Sequence, residues 1–282
     1  MSRYAYQLVN VFAESPFGGN PLCVFTDAHG LDDRAMQLLA RQMNLSETVF
    51  IFPSERATAS LRIFTPSYEL PFAGHPTIGS ASVLHALRGL GDDFALETRA
   101  GVIPIRHAQG CFTLQANAAS ERESGVTVAD TAAMLGLAED DILASPTWVN
   151  TGTEQMLVRV ASKAAVLRAR PLPTLFLRSA TLRPGRSIAY LWHEDRGIAT
   201  VRLFFEQLGA VIEDPGTGSA CANLGGWCSL HLPPPLQWRV EQGEAIQRPN
   251  VLYLGVDEAL RITVGGKVMA LGGGVLDLSA FL

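Results

Sequence analysis

Two short stretches of the sequence decide the fold. Residues 75–81 read HPTIGSA and residues 214–220 read DPGTGSA, so four of seven positions are identical at an offset of 139 residues. Arg62-Ile63-Phe64 and Arg202-Leu203-Phe204 stand upstream of the two copies, at an offset of 140 residues. An Arg-apolar-Phe strand before both copies favours an internal duplication over a chance match. The sequence therefore predicts two halves of the same architecture.

Each copy pairs a strand with a helix. Helices are predicted over residues 76–89 and 220–230, with Pro76 and Pro215 in their first turns, where a missing N–H costs nothing. Both helices are small and apolar nearly all round, which is typical of buried helices. We therefore expect two half-barrels, each wrapped around a central helix, with the two helix N-termini facing one another.

The rest of the chain predicts an α+β protein with largely antiparallel sheets. Short apolar or alternating runs indicate strands at 6–12, 22–26, 48–52, 59–64, 102–106 and 112–115. Helix-like segments cover 32–43 and 127–135, and no steady βαβ rhythm connects them. The small, polar stretch 116–126 is the predicted linker. It separates an N-terminal half-repeat domain, 1–118, from a C-terminal one, 127–266.

Composition excludes several classes of partner. The chain has 282 residues, 48% hydrophobic and 17% charged, against about 25% charged in an average soluble protein. The net charge of −5 argues against nucleic acid or an anionic membrane as the main partner, because both need a basic face. Neither a membrane-spanning apolar run nor a signal peptide is visible. Four cysteines without a CxxC spacing favour reduced thiols and a cytoplasmic protein.

The duplicated motif predicts an anion-binding pocket. Two helix N-termini in one cleft would present backbone N–H groups and positive dipole ends to a carboxylate. Glycines permit close approach of the backbone there, namely Gly74, Gly79, Gly216 and Gly218. The alternative is a tight strand-to-helix turn in which a Ser or Thr caps the helix. The presence of two copies favours the pocket.

Two polar residues occupy the same place in the two copies. His75 and Asp214 each precede a predicted helix, and both would point into the cleft if the halves face each other. Asp214 has an alternative role as a helix N-cap, and His75 as a hydrogen-bonded structural histidine. The other histidines show no ligand-like spacing, so no metal site is predicted.

Glu47 is a third candidate. It follows Asn44-Leu45-Ser46 and stands at the start of an apolar strand. An acidic residue at the start of a strand is usually exposed to solvent. In an apolar cleft, however, desolvation would favour its neutral form and make it a usable proton carrier.

Several motifs together resemble those of the PhzF-like family of phenazine biosynthesis. They are NLSET at 44–48, RIFTP at 62–66, ELPFAGHP at 69–76 and EDPGTGSA at 213–220, with QG at 242–243 and RP at 248–249. The resemblance runs from about residue 5 to the C-terminus. It implies the diaminopimelate-epimerase fold, with two pseudo-symmetric barrels around central helices and a last strand, about 267–282, that returns to the first domain. The resemblance also implies a homodimer, the usual oligomeric state in the family.

The resemblance implies an isomerase that works without cofactor or metal. Glu47 would be the proton shuttle, taking a proton from one carbon of a cyclic dienyl acid and returning it to another, as in trans-2,3-dihydro-3-hydroxyanthranilate isomerase. His75 and Asp214 complete the predicted catalytic group. A small carboxylate substrate would be bound by Ser46, Gly74, Gly216, Thr217, Gly218 and Ser219.

Two other functions stay open at this point. One is a small-carboxylate-binding protein without chemistry, and the other is an epimerase or racemase with non-cysteine acid and base groups. Racemisation by two thiols is not expected, because no cysteine adjoins the first motif and Cys221 and Cys228 fall inside the second helix. One departure stands out: Phe205-Glu206 follows Phe204 where family members commonly have a proline, which predicts an altered substrate pocket.

Overall fold

The computed structural model describes residues 3–207 and 209–279. The chain divides into two compact units, the first made of Met1–Gln115 and Gly265–Leu282, the second of Ala116–Val264. Both units mix strands and helices, as the predicted α+β class requires.

The first unit holds nine strands and two helices among its described residues. The helices are α1 (Asp33–Met43) and α2 (Gly74–Arg88). The strands are β1 (Arg3–Val11), β2 (Asn20–Phe25), β3 (Thr48–Phe52), β4 (Ala59–Phe64), β5 (Glu69–Leu70), β6 (Asp93–Thr98), β7 (Gly101–Ala108), β8 (Cys111–Gln115) and most of β18 (Ile262–Asp277), which begins in the second unit.

Eight of these strands close into a barrel. β1 pairs antiparallel with β2 and with β18, β2 pairs parallel with β3, and β3 pairs antiparallel with β4. β4 continues parallel to β6, which pairs antiparallel with β7, and β7 with β8. The pairing of β8 with β18 closes the ring of these eight strands.

Helix α2 packs closely against the strands of this barrel. It contacts β1, β2, β3 and β8, and ten of its residues from Gly74 to Leu84 are buried. A Cβ on Gly79 would stand 2.5 Å from the Leu22 side chain and 2.8 Å from that of Val11, so only glycine allows this approach. The first half is thus a barrel around a central helix, as predicted.

Helix α1 leads the chain to the start of β3. Its Met36 and Leu39 pack into a cluster with Phe25, Phe50 and other apolar side chains. The helix ends at Asn44, whose left-handed backbone (φ 52°) lets its N–H donate to the carbonyl oxygen of Ala40. The chain then crosses residues 45–47 and enters β3.

The second unit repeats the mixture of strands and helices. Its helices are α3 (Val128–Leu135), α4 (Lys163–Arg168), α5 (Pro173–Ser179) and α6 (Gly218–His231), with short 3₁₀ helices at Glu139–Asp141 and Glu244–Ile246. Its strands are β9 (Ser120–Glu123), β10 (Thr147–Asn150), β11 (Glu154–Arg159), β12 (Thr181–Arg183), β13 (Arg186–Asp195), β14 (Ile198–Gln207), β15 (Ala210–Asp214), β16 (Leu236–Gln242) and β17 (Asn250–Val256).

Seven of these strands form one continuous sheet around α6. Its order is β9-β10-β11-β13-β14-β16-β17, with parallel pairs at β11–β13 and β14–β16 and antiparallel pairs elsewhere. Helix α6 contacts β10, β11 and β17. Gly225 and Gly226 allow this contact, because a Cβ on either would stand within 2.8 Å of side chains of the surrounding sheet and its flanking segments.

The structure corrects the sequence expectations at three places. The stretch 116–126 is not a linker throughout, because β9 lies inside it and pairs with β10; a polar sequence suffices there since the β9 side chains are half-buried or exposed. Helices α4 and α5 were not predicted. Both central helices begin two residues earlier than expected, at Gly74 and Gly218.

Among the described residues, no helix is both long enough and apolar enough to cross a membrane.

Candidate active site

The first unit brings Glu47 and His75 together. Nδ1 of His75 lies 3.2 Å from Oε2 of Glu47, and the two side chains are 5% and 17% exposed. This is an ion-pair distance without hydrogen-bond geometry. Within the described part of the chain, neither Oε2 of Glu47 nor Nε2 of His75 has a hydrogen-bond partner. Buried polar atoms normally have partners, so these two atoms are suited to bind a ligand.

The start of α2 leaves backbone donors available. Its N-cap is Ala73, which has no side chain for a capping hydrogen bond, and Gly74 and His75 form the buried first turn. By contrast, α1, α3 and α4 are capped by the side chains of Asp32, Thr127 and Ser162. Uncapped N–H groups and the positive dipole end favour an anion at this place. Ser46, the other candidate of this unit, is exposed beside Glu47.

In the second unit, Asp214 and Thr217 form a fixed turn between β15 and α6. The Thr217 hydroxyl donates to the Asp214 carboxylate, so it does not cap α6. Buried Gln242 holds the turn: its Nε2 donates to the Asp214 carbonyl (2.9 Å) and to Thr217 Oγ1 (3.0 Å), and its Oε1 accepts from the Thr217 N–H (3.1 Å). Sequence reasoning gave Gln242 no role.

Gly216 and Gly218 are buried in the same connection. A Cβ on Gly216 would collide with the Asn250 side chain, so a larger residue does not fit there. Gly218 is the first residue of α6, and no side-chain cap is seen among the described residues around it. This second helix start therefore also offers its backbone N–H groups.

A buried amide network fixes Ser219. Its Oγ accepts a hydrogen bond from Nε2 of Gln155 (3.1 Å), and Oε1 of Gln155 accepts from Nδ2 of Asn223 (2.9 Å). Asn223 in turn accepts from the N–H and the hydroxyl of Thr151. The two amides were missed by sequence reasoning, because their burial beside Ser219 is visible only in the folded structure.

The structure corrects the repeat register that placed His75 opposite Asp214. His75 is the second residue of α2, whereas Asp214 is the last residue of β15, four residues before α6. The residue of α6 that corresponds to His75 is Ser219. Pro215, likewise, lies three residues before α6 and not in its first turn.

A conserved local geometry supports the corrected register within each unit. β5 pairs with β4 so that Glu69 lies opposite Phe64, and β15 pairs with β14 so that Glu213 lies opposite Phe204. The offset of 140 residues at the strands becomes 144 at the helices. The four extra residues lie in the β14–β15 hairpin, where the sequence lacks the expected proline.

The cysteines are not placed for acid–base chemistry. Burial raises the pKa of Cys23 to about 12 and raises the pKa of Cys221 and of Cys228, both inside α6, still further. The pKa of half-buried Cys111 is also raised, mainly by burial. All four thiols are free, and burial favours their protonated form.

Three further buried hydroxyl groups were missed by sequence reasoning. Within the described residues, those of Thr48, Ser80 and Tyr190 have no hydrogen-bond partner. Burial, with smaller contributions from Cys221 and Asp214, raises the pKa of Tyr190 well above its usual value. Tyr190 therefore stays a neutral hydrogen-bond donor.

The histidines also differ from expectation. His85 and His107 approach each other, together with Asp92, although their sequence spacing gave no sign of it. The cause is the fold, which sets the end of α2 beside β7.

The first unit is a closed eight-stranded barrel around a central helix, with a largely covered Glu–His pair at an uncapped helix start, and the second is a sheet around another helix. Together these features define a protein of the diaminopimelate-epimerase fold class. Residues 9–274 match the family model of phenazine biosynthesis-like proteins, PhzC-PhzF. The chain belongs to this family.

Similar proteins agree with this assignment. The chain is 50% identical to an uncharacterized isomerase of Pasteurella multocida, over 98% of this chain and 95% of that protein. It is 32% identical to the trans-2,3-dihydro-3-hydroxyanthranilate isomerase of Pseudomonas chlororaphis, over 97% and 99%. The crystal structure of a PhzF family protein from Bacillus anthracis has a TM-score of 0.86 at 24% identity, over 98% and 99% of the two chains. The chain is an isomerase of this family.

Proposed function

We propose that the chain moves a proton within a small cyclic or amino-carboxylate substrate, as the trans-2,3-dihydro-3-hydroxyanthranilate isomerases of Pseudomonas do in the same family. The proton carrier in this proposal is Glu47, and neither cofactor nor metal takes part.

The Glu47–His75 pair carries the proposal. If Glu47 were only a polar residue at a solvent-exposed strand edge, its side chain would be exposed. Instead it is largely covered and lies beside the buried imidazole of His75. Its Oε2 and the far ring nitrogen of His75 lack hydrogen-bond partners among the described residues. A substrate would supply them, and a carboxylate held in contact with the reacting carbon needs little further reorganisation.

The chemistry balances with one carboxylate. Glu47 removes a proton from an sp³ carbon, and the C–H electrons enter the conjugated system as the double bond moves along the ring. The same carboxyl group then returns the proton to a second carbon. His75 hydrogen-bonds a polar group of the substrate and keeps it in reach of Glu47. General acid–base catalysis of this kind contributes about 10²–10⁴-fold to a rate.

The second unit is assigned to substrate binding in this proposal. The uncapped start of α6 at Gly218 offers backbone N–H groups suited to a carboxylate, and Gly216 and Thr217 form the turn that leads the chain into it. Asp214 and Ser219 are the side chains assigned to the substrate's polar groups. Ser46 and Gly74 complete the set in the first unit.

The deciding experiment is NMR of trans-2,3-dihydro-3-hydroxyanthranilate with the wild type, with Glu47→Gln and with Glu55→Gln. Glu55 is an exposed carboxylate of the same unit and serves as the matched control. We expect conversion by the wild type and by Glu55→Gln, and a loss of about 10³-fold or more in Glu47→Gln. The thermal unfolding curves of all three should nearly coincide.

The other results are equally informative. Full activity in Glu47→Gln would remove Glu47 from the mechanism. Binding without conversion by the wild type, unchanged in Glu47→Gln, would favour a carboxylate-binding protein. Exchange of an α-proton with deuterated water, with formation of both stereoisomers, would favour an epimerase.

A further inference from the structure

A second group of ligating side chains lies at the far end of α2. His85 comes from the last turn of that helix, Asp92 from the connection to β6, and His107 from β7. One ligand atom from each residue lies within 4.8 Å of the other two. Ten residues of helix separate His85 from His75, a distance of about 15 Å along the axis, so the group is separate from the Glu47–His75 pair.

The spacing of His107 and Asp92 suits a small divalent cation. Nδ1 of His107 lies 3.3 Å from Oδ1 of Asp92. In a tetrahedral zinc site with bonds of about 2.0–2.1 Å, neighbouring ligand atoms stand about 3.3 Å apart. The His107–Asp92 pair is therefore already at the spacing that a shared zinc ion requires.

The two imidazoles are held in place by packing. The ring of His107 stacks on Phe112 with centroids 4.5 Å apart, and the ring of His85 meets the same Phe112 edge-on at 5.5 Å. The two imidazole centroids lie 4.4 Å apart. The backbone N–H of His107 also donates to the backbone carbonyl oxygen of Asp92 (2.7 Å), which ties the α2–β6 connection to β7. Little ordering of the two imidazoles is left for a metal to impose.

We propose that His85, Asp92 and His107 bind one Zn²⁺ ion. Two imidazoles and one carboxylate are ligands that zinc accepts readily, and water would fill the fourth position because Asp92 is exposed. The negative end of the α2 dipole also favours a cation at this place. The ion fastens the end of the central helix to β7 and to the α2–β6 connection, so it stabilises the first unit rather than joining the chemistry.

The test is metal binding by tag-free protein that has been stripped with EDTA and dialysed. Calorimetric titration with Zn²⁺ should give one equivalent with a micromolar or tighter dissociation constant. Co²⁺ should give the visible absorption of a low-coordinate site. Zinc should raise the midpoint of thermal unfolding by several degrees, and EDTA should reverse the shift.

Three variants and one control decide the ligands. His85→Gln, His107→Gln and Asp92→Asn should each weaken Zn²⁺ binding at least ten-fold, whereas His29→Gln, at an exposed histidine of the same unit, should not change it. Asp92 is exposed, so its variant decides the question if a histidine variant fails to fold. Unchanged affinity in Asp92→Asn, or only millimolar binding by the wild type, would overturn the proposal.

Discussion

The two central helices begin behind the same arrangement of residues, an Arg–Glu ion pair beside a Phe ring, which we call the frame. They differ in the residues that stand at the helix start itself. In the first unit, Arg62 forms a two-pronged ion pair with Glu69 (2.8 and 2.5 Å) and lies over the ring of Phe64. In the second, Arg202 does the same with Glu213 (3.0 and 2.6 Å) and with Phe204. Each pair fixes the short strand that leads into the helix.

The second helical residue is where the copies differ. It is His75 in α2, which faces Glu47 and keeps one ring nitrogen without a partner among the described residues. It is Ser219 in α6, which the Gln155–Asn223 network holds in place. Both copies have thus kept an uncapped helix start, and among the described residues the first copy places a Glu–His pair beside it whereas the second places a hydrogen-bonded serine there.

The two arginines should differ in what they contribute to stability. Arg202 and Glu213 are 6% and 7% exposed, and Arg202 also donates to the carbonyl oxygens of Val166, Leu167 and Ala169. Arg202→Leu leaves a buried carboxylate without its partner, so we expect a loss of about 3–5 kcal/mol in the free energy of unfolding. Urea unfolding followed by tryptophan fluorescence measures it, because all four tryptophans lie in the second unit.

Arg62→Leu is the matched comparison, and its urea unfolding is followed by far-UV circular dichroism because the tryptophans lie in the second unit. Glu69 keeps Arg99 as a second cationic partner at 3.0 Å, and Asp33, the other partner of Arg62, is exposed. We expect a loss of about 1 kcal/mol, as for partly exposed ion pairs. Equal losses in the two variants would show that burial does not distinguish the two frames.

Substitutions at the second residue of the two central helices should lower the activity by different amounts. His75→Asn removes the imidazole beside Glu47, and we expect kcat/KM for the substrate converted by the wild type to fall about 100-fold. Ser219→Ala removes one hydroxyl whose oxygen already accepts from Gln155, and we expect a fall of about five-fold, the worth of one neutral hydrogen bond. A larger loss in Ser219→Ala would reverse the assignment of the two units.

The sequence predicted what depends on local pattern. The alternation of apolar residues located β3 and β4 with their observed bounds, and the small apolar segments located both central helices. The residues alone did not pair Glu47 with His75; the resemblance to a family brought both into one site. Glu47 differs from an ordinary residue at a solvent-exposed strand edge because its side chain is largely covered, and that covering is created by the folded barrel.

Two errors have the same physical origin. The alignment that matched His75 with Asp214 was based on identical residues that follow them. It missed that the hairpin before the helix is four residues longer in the second copy than in the first. The His85–Asp92–His107 group was invisible because its spacing along the chain is irregular. In both cases the strand pairing, and not the local sequence, decides which side chains meet.

The last comparison concerns residue four of each central helix, Thr77 in α2 and Cys221 in α6. Burial, with a smaller contribution from Cys228, raises the pKa of the Cys221 thiol in the folded protein, whereas an unfolded thiol ionises near pH 8.5. Above that pH the unfolded state binds fewer protons than the folded state. The folding free energy that this thiol contributes is therefore fully present below about pH 8.5, and it is lost at about 1.4 kcal/mol per pH unit above it.

Cys221→Thr makes α6 resemble α2 and should remove this loss. A threonine can donate its hydroxyl proton to the carbonyl oxygen of Thr217 one turn back, as Thr77 donates to that of Ala73 (2.8 Å). Between pH 8.5 and 9.5, where the unfolded thiol goes from half to almost fully ionised, we expect the free energy of unfolding to fall by about 1 kcal/mol less in the variant than in the wild type. Urea titrations at the two pH values measure the difference, and Cys111→Ser, at a half-buried thiol, should show a smaller one. An equal fall of the free energy of unfolding in Cys221→Thr and in the wild type would mean that Cys221 ionises in the folded protein. Helix α6 would then hold a thiolate at its fourth residue, where α2 has the neutral hydroxyl of Thr77.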